Sequence, residues 1–175
     1  MLIQEMSRQD CVSLLARTRL CRLGCANEGQ PYITPVYCAH NGNYIYSFSR
    51  LGQKITWMRA NPRVCVEADE VASPQKWATV FVSGHYEELS NTTPHDAARK
   101  RAYELLRRRS VWWEPGSLQK LRQESSSSLE VIYFRVSIDR LSGRRGIPDR
   151  TTSGIDSATQ DGIIARLRRI LRRSI

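Results

Sequence analysis

The sequence lacks several features that would place it in a large class of proteins. No apolar run approaches the roughly 20 residues that a membrane-spanning helix needs. The N-terminus has no basic stretch followed by an apolar stretch, as a secretory signal would. The phosphate-loop patterns G-x-x-x-x-G-K-[ST] and G-x-G-x-x-G are both absent. We therefore expect a cytoplasmic protein that uses neither of these nucleotide-binding motifs.

Histidine is scarce, which limits the acid–base chemistry that the chain can support. The three histidines, His40, His85 and His95, fall in a predicted turn, a strand and a helix start. No triad partner is evident for any of them in the sequence. We expect all three to be structural or exposed rather than catalytic.

The cysteines are odd in number, and they do not predict a disulfide framework. They are scattered through apolar segments of a chain without an export signal: Cys11, Cys21, Cys25, Cys38 and Cys65. Cysteines of this kind are usually small buried side chains. The C-x3-C spacing of Cys21 and Cys25 fits neither a zinc knuckle nor a redox pair, so we predict no metal site.

The excess of positive charge is concentrated near the C-terminus. The formal net charge is +10, and residues 143–175 contain eight Arg and three Asp, which is +5 of that total. The rest of the chain is only mildly basic. The charge therefore bears on the partner of the C-terminal segment and says little about the fold.

Hydrophobic patterning predicts a mainly β domain with short helices. Ser7 followed by Asp10 resembles a helix cap, and Asn41 with Gly42 is a strong signal for a tight hairpin turn. Six antiparallel, locally connected strands with two or three helices favour a small closed barrel. We expect the barrel to be homodimeric, an expectation that rests on a family resemblance. We assign the barrel domain to residues 1–142 and a basic C-terminal extension to 143–175. The predicted helices cover about residues 7–17, 52–61 and 93–109, and the predicted strands cover residues 20–26, 31–40, 44–48, 63–69, 77–89 and 128–141.

One polar segment, YSFSRLGQKITWMRANP (residues 46–62), has the chemistry of a phosphate site. A strand ends in hydroxyl groups and is followed by Arg50, Gly52, Gln53 and Lys54 at the start of a helix. Amide groups at a helix start point outward, Gly52 lets an anion approach, and the two cations add charge. The alternative is a solvated loop in which Lys54 faces water.

The order of several blocks resembles the pyridoxamine 5'-phosphate oxidase-like family of FMN-binding split barrels, in its nitroimidazole-resistance-like branch. The blocks are RLGCANEGQPYITPVY, YIYSFSRLGQKITWMRANPRVCVEAD, WATVFVSGHYEEL and VIYFRVSIDRLSGR, and the resemblance covers about residues 5–145. It implies a six-stranded split barrel, a homodimer, and FMN near the dimer interface. It does not distinguish FMN from a deazaflavin.

The resemblance also implies a set of cofactor-binding residues. Lys54 falls where a basic residue binds the flavin phosphate, and Arg50 and Gln53 belong to the same block. The resemblance places Pro35, Val36 and Tyr37 on a strand beside the isoalloxazine ring. It places Ser47, Phe48 and Ser49 on a second strand, toward the flavin and its phosphate tail. Trp77 and Thr79 match a third strand, which closes the other side.

Two departures limit what the resemblance implies about the reaction. Phe48 or its neighbour stands where nitroimidazole-resistance proteins carry a histidine. The C-terminal segment contains no histidine, whereas pyridoxamine phosphate oxidases carry an Arg-x-His element there and haem-degrading relatives also use a histidine in that region. We therefore expect neither vitamin B6 oxidation nor haem degradation.

Two segments outside the barrel carry separate interpretations. Trp112 and Trp113 either pack at the barrel mouth or the dimer contact, or form a lid that stacks on flavin or substrate. The sequence pattern of residues 161–175 predicts an amphipathic helix with an aliphatic face and an arginine face. We favour docking of its apolar face on the barrel or the second subunit over binding to an anionic membrane or a nucleic acid.

The sequence thus predicts an FMN-binding oxidoreductase of the flavin reductase or nitroreductase kind. It would pass electrons between a small-molecule donor and a small-molecule acceptor, neither of which the sequence identifies. The alternative is a non-enzymatic flavin binder that serves in storage, sensing or stress.

Overall fold

A single antiparallel sheet closes on itself to form a six-stranded barrel. The computed structural model describes residues 1–107 and 131–148. The strands are β1 (Leu2–Glu5), β2 (Leu20–Asn27), β3 (Gln30–Asn41), β4 (Tyr44–Arg50), β5 (Arg63–Ser73), β6 (Lys76–Leu89), β7 (Val131–Ser137) and β8 (Arg140–Ile147). The helices are α1 (Arg8–Arg17), α2 (Gln53–Ala60) and α3 (Asp96–Arg107), with a short 3-10 helix at Thr93–His95.

The mainly β, antiparallel prediction is confirmed, and the sheet is larger than predicted. Its strands follow the order β1-β8-β6-β5-β2-β3-β4-β7, and an additional pairing of β6 with β7 closes the ring. The six strands of that ring are the six that the sequence predicts. The strands β8 and β1 extend the sheet beyond β6.

The last predicted strand, residues 128–141, is wrong in its bounds. The chain bends after β7, and β8 then continues along β6 to Ile147. Residues 143–147, which the sequence places in the C-terminal extension, therefore belong to the sheet. The sequence RLSGRRGI of β8 has few β-branched residues, so its composition does not identify it as a strand.

The predicted helix start and turn are confirmed. Ser7 caps α1, and its Oγ accepts a hydrogen bond from the Asp10 N–H at 3.1 Å. Gly42 has φ of 61° between β3 and β4, as the tight turn requires. The predicted third helix begins as the 3-10 turn Thr93–His95 and continues as α3.

The hydrophobic core fills the barrel, and α1 lies across one end of it. Core side chains come from every strand of the ring and from the first two helices; the largest that are fully buried include Phe134, Leu14, Leu23, Ile55 and Met58. A second cluster lies outside the barrel under α3, where Tyr37, Tyr46 and Leu89 pack against Ala102 and Leu106. No helix within the described residues is long and apolar enough to cross a membrane.

The cysteine prediction is partly wrong. The side chains of Cys21 on β2 and Cys38 on β3 form a disulfide inside the barrel. The two strands are hydrogen-bonded neighbours, a proximity that the sequence spacing of 17 residues does not reveal. Cys11 and Cys25 are free and buried, as predicted, and Cys65 is half-buried.

Several predicted features lie outside the described residues. These are the candidate lid Trp112 and Trp113 and the amphipathic segment 161–175. They remain predictions.

Barrel closure predicts a strong effect of one small substitution. A Cβ on Gly84 would lie 1.7 Å from the carbonyl oxygen of Ser137 and 2.8 Å from its carbonyl carbon. Backbone atoms cannot move aside cheaply, so we expect Gly84→Ala to cost at least about 2 kcal/mol of unfolding free energy. A thermal melt should show a fall of at least about 5 °C.

Gly52→Ala is the control, because no described atom lies within 4 Å of the position its Cβ would take. We expect its melting temperature to stay within about 2 °C of the wild type. Equal melting temperatures for Gly84→Ala and the wild type would contradict the described closure.

Candidate functional site

The junction between β4 and α2 presents an uncapped helix start. Gly52 is the N-cap of α2, and within residues 1–107 and 131–148 no side chain caps this helix start. The space in front of Gly52 is open among the described residues. Unpaired amides at a helix start carry partial positive charge and suit an anion. The junction therefore has the backbone geometry that the sequence predicts.

Lys54 contributes a cation without a counterion at this junction. Its side chain is half-buried, and it makes no hydrogen bond or ion pair with any described residue. Burial lowers the pKa of the Lys54 ammonium, and the nearby Cys25 thiol partly offsets that effect. Burial also raises the pKa of Cys25, as does Cys65, while Lys54 opposes the shift. A half-buried ammonium of this kind gains more from a bound anion than a solvated one.

The remaining junction residues differ in their exposure to solvent. Ser49 is half-buried and its Oγ donates to the Arg50 carbonyl oxygen at 2.9 Å. Arg50 and Gln53 are exposed, and the structure shows no ion pair for Arg50 within residues 1–107 and 131–148. Ser49, Arg50, Gln53 and Lys54 thus lie together around the helix start. We refer to these four residues as the junction group.

Ser47 and Val36 lie inside the barrel rather than at the junction. Ser47 is 2% exposed, and its Oγ donates to the Tyr37 carbonyl oxygen at 2.7 Å. Val36 is 6% exposed and belongs to the main core cluster. Strand alternation turns both side chains inward. Their visible role is to hold β3 against β4.

Tyr37 and Phe48 lie in the cluster under α3. Their rings meet edge-on with centroids 6.1 Å apart, and Phe48 is 6.2 Å from the ring of Tyr133. The Tyr37 hydroxyl donates to the Leu106 carbonyl oxygen at 3.4 Å. These aromatic contacts fix α3 on β3, β4 and β7. The flavin contacts that the resemblance implies for Tyr37 and Phe48 remain predictions.

Pro35, Trp77 and Thr79 lie on a different face, the outer surface of the sheet. Thr79 on β6 donates from Oγ1 to Glu67 Oε1 at 2.9 Å. Pro35 lies on β3 opposite Arg22. In the order β6-β5-β2, the strand β5 separates β6 from β2, the strand that α2 packs on. Within one chain, this outer-face group does not join the junction group.

Sequence reasoning missed a charged network on that outer face. Arg22 on β2 pairs with two carboxylates of β5, Glu67 at 3.0 Å and Asp69 at a shorter distance. Glu67 also holds Thr79. The only available signal was the spacing of Glu67 and Asp69 on one face of a strand. The network links three strands on the surface where Pro35 and Thr79 lie.

Comparison with known proteins gives a consistent set of relatives. A family model described as pyridoxamine 5'-phosphate oxidase matches residues 7–145. An uncharacterized protein of Rhizobium meliloti (strain 1021), RA0666, is 43% identical over 144 residues, which are 82% of this chain and 95% of that protein.

Solved structures show the same likeness. A FAD-binding protein from Mesorhizobium loti is 40% identical with a TM-score of 0.69, over 83% of this chain and 99% of that one. A Bacteroides thetaiotaomicron protein assigned to 5-nitroimidazole antibiotic resistance is 16% identical with a TM-score of 0.57, over 83% of this chain and 89% of that one. At that identity the second likeness shows the fold alone.

The buried charge of Lys54 predicts a pH-dependent stability difference. A lysine with a lowered pKa binds fewer protons in the folded state than in the unfolded state, between the folded pKa and the ordinary value of 10.5. Stability of the wild type therefore rises with pH across that window. We expect Lys54→Met to raise the melting temperature of the flavin-free protein at pH 7 by a few degrees. The gain should shrink as pH rises through the window.

Lys100→Met, at an exposed lysine of α3, serves as the matched control and should leave the melting temperature unchanged. Melting curves from pH 7 to 10.5 for all three proteins provide the test. A lower melting temperature for Lys54→Met at pH 7 would show that the charge is stabilised by groups not identified at the junction.

Proposed function

This chain belongs to the pyridoxamine 5'-phosphate oxidase family, as the sequence predicts, and we propose that it is a flavin-binding oxidoreductase. The β4–α2 junction would hold the phosphate of the cofactor. The observation that carries this proposal is the start of α2, which no described side chain caps, beside a half-buried Lys54 that pairs with none of the described residues. The FAD-binding relative from Mesorhizobium loti supports a flavin as the ligand.

The residues of the junction group fit a phosphate in complementary ways. Lys54 supplies the charge, and the first-turn amides of α2 supply directed donors. Gly52 leaves the approach to those amides open. Arg50 adds a second cation at the rim, and Ser49 and Gln53 add polar groups. Each such charge-assisted hydrogen bond contributes about 1.5 to 3 kcal/mol.

We propose FMN as the flavin. The terminal phosphate of FMN is a dianion with three free oxygens, whereas each phosphate in the pyrophosphate of FAD has two free oxygens and one negative charge. A site that combines a helix start, a buried ammonium and a guanidinium favours the more highly charged group. The name of the Mesorhizobium loti relative supports FAD instead, so the affinities for FMN and FAD need to be measured side by side.

The proposed role in catalysis follows from what the chain supplies. A bound flavin provides hydride and electron transfer. The chain would bind its phosphate at the junction, orient its ring against the barrel and shield it from water. No side-chain nucleophile is needed for that role. Reduction of the bound flavin by NADH or NADPH distinguishes this oxidoreductase from a non-enzymatic flavin binder.

We further propose that the active form is a homodimer. The outer face carries large apolar side chains in contact with solvent, with Ile33 at 72% and Phe81 at 47% exposure. Such side chains on one sheet face are typical of an interface. A second copy seated there would bring its junction group to the Pro35, Trp77 and Thr79 of the first. The two groups that one chain keeps apart would then form one site.

The phosphate proposal predicts a selective loss of affinity in Lys54→Ala. FMN binding, measured by titration of flavin fluorescence, should weaken by about 1.5 to 3 kcal/mol, or roughly 10- to 150-fold. Circular dichroism should stay native. FAD titrated in parallel should bind the wild type more weakly than FMN.

Lys100→Ala on α3 is the control, and it should bind FMN like the wild type. Unchanged FMN affinity in Lys54→Ala with a native spectrum would mean that Lys54 is a surface residue without a role in binding. Tighter binding of FAD than of FMN would identify FAD, and not FMN, as the preferred cofactor.

The dimer proposal predicts that an outer-face charge disrupts both assembly and cofactor binding. Ile33→Asp should shift the molar mass from dimer to monomer in light scattering, because the carboxylate would be buried without a partner. FMN affinity should fall along with it, since half of each site would be lost.

Tyr103→Asp on α3 is a fair comparison, because Tyr103 is 45% exposed but lies on another surface. It should remain a dimer. A wild type that is monomeric at the concentrations where it binds FMN would contradict the shared site.

A further inference from the structure

A cavity lies at the end of the barrel, between α1 and β8. Its volume is about 380 Å³, within the range of roughly 300 to 1,000 Å³ that small-molecule sites span. No member of the junction group lines it. The charged side chains that line it are Asp10, Arg17, Glu70, Lys76 and Arg145.

Arg145 is the least satisfied of these side chains. Its Nε is buried and has no hydrogen-bond partner among the described residues. Its one ion pair is a long contact of 3.5 Å from Nη1 to Asp10 Oδ2. A guanidinium has five N–H donors in a planar fork that fits a carboxylate or phosphate. A buried donor of this kind without an acceptor is costly unless a ligand supplies one.

The charges facing the cavity leave a positive excess. Glu70 is already satisfied, because Arg17 donates to both of its oxygens at 2.5 and 2.7 Å and lowers the pKa of that carboxyl. Asp10 pairs with Arg145, and no other described cation forms an ion pair with it. Lys76 is exposed and makes no ion pair within the described residues. Three cations therefore face two carboxylates, and the unpaired capacity lies on Arg145 and Lys76.

Trp77 lies on the other side of this strand pair. Its register partner on β8 is Gly146, and a Cβ there would lie 2.5 Å from Trp77 Nε1 and 2.9 Å from Cε2. Because side chains alternate along a strand, this indole ring is on the outer face, whereas Arg145 is on the inner face toward α1. The charged contacts of the cavity therefore come from Arg145 and Lys76.

We propose that this cavity binds a small organic anion, with its carboxylate or phosphate on Arg145 and Lys76. The site is separate from the β4–α2 junction and does not depend on flavin binding. It assigns a role to the buried Arg145 Nε, which has no hydrogen-bond partner among the described residues and which the proposed function does not explain.

The test measures benzoate binding to the full-length protein by saturation-transfer NMR titration. The wild type should bind benzoate saturably, and benzyl alcohol, which lacks the charge, should not saturate over the same range. Arg145→Gln should weaken benzoate binding by at least about tenfold, as expected for the loss of a charged donor. Lys76→Ala should weaken it severalfold.

Arg144→Gln is the matched control, because it removes the same charge from the adjacent residue of β8. Its side chain lies on the opposite face of the strand and does not line this cavity. It should bind benzoate within twofold of the wild type, and so should Lys54→Ala, whatever its effect on flavin. Circular dichroism verifies the fold of each variant, and if Arg145→Gln fails to fold, Lys76→Ala decides.

Three results would overturn the proposal. They are no saturable benzoate binding by the wild type, an equal loss in Arg144→Gln and the cavity variants, or loss of benzoate binding in Lys54→Ala. The last result would place the benzoate at the flavin site instead. Loss of flavin binding alone would leave the proposal standing.

Discussion

The close approach of Gly84 to the Ser137 carbonyl is the constraint on which the barrel depends. The strand β6 pairs with β8 from Trp77 to Ser83 and then with β7 from Tyr86 to Leu89. Gly84 stands between these two pairings, where the partner strand bends, and any side chain would collide with the carbonyl. This contact lets β7 lie against both β6 and β4. Closing the ring in turn holds the end of β4, and with it the start of α2, in a fixed position.

A fixed junction explains how a half-buried lysine can be tolerated. Lys54 is the second residue of α2, a helix anchored in the core by Ile55 and Met58. The anchored helix start keeps the Lys54 side chain half-buried beside Cys25. The desolvation that lowers its pKa is a cost to the flavin-free protein, and a bound phosphate would offset it. Stability and affinity are therefore linked through one side chain, an arrangement common at binding sites.

The sequence predicts the elements that depend on local chemistry and misses those that depend on distant pairing. The cap at Ser7 and the turn at Gly42 are local, and both are confirmed. The disulfide of Cys21 and Cys38 and the strand β8 depend on which strands become neighbours, which no periodicity shows. At the site, Lys54 at the helix start is readable from its neighbours in sequence. The burial of Phe48 under α3 is not, because the covering helix lies about 50 residues further along the chain.

A comparison of FMN with riboflavin shows whether the junction binds a flavin through its phosphate. The two ligands share the ring and the ribityl chain and differ only in the phosphate. Equilibrium titration of the flavin-free protein with each ligand gives their ratio of dissociation constants. We expect FMN to bind at least about tenfold more tightly than riboflavin, and we expect this difference to shrink at high salt. Equal affinity for FMN and riboflavin would contradict it.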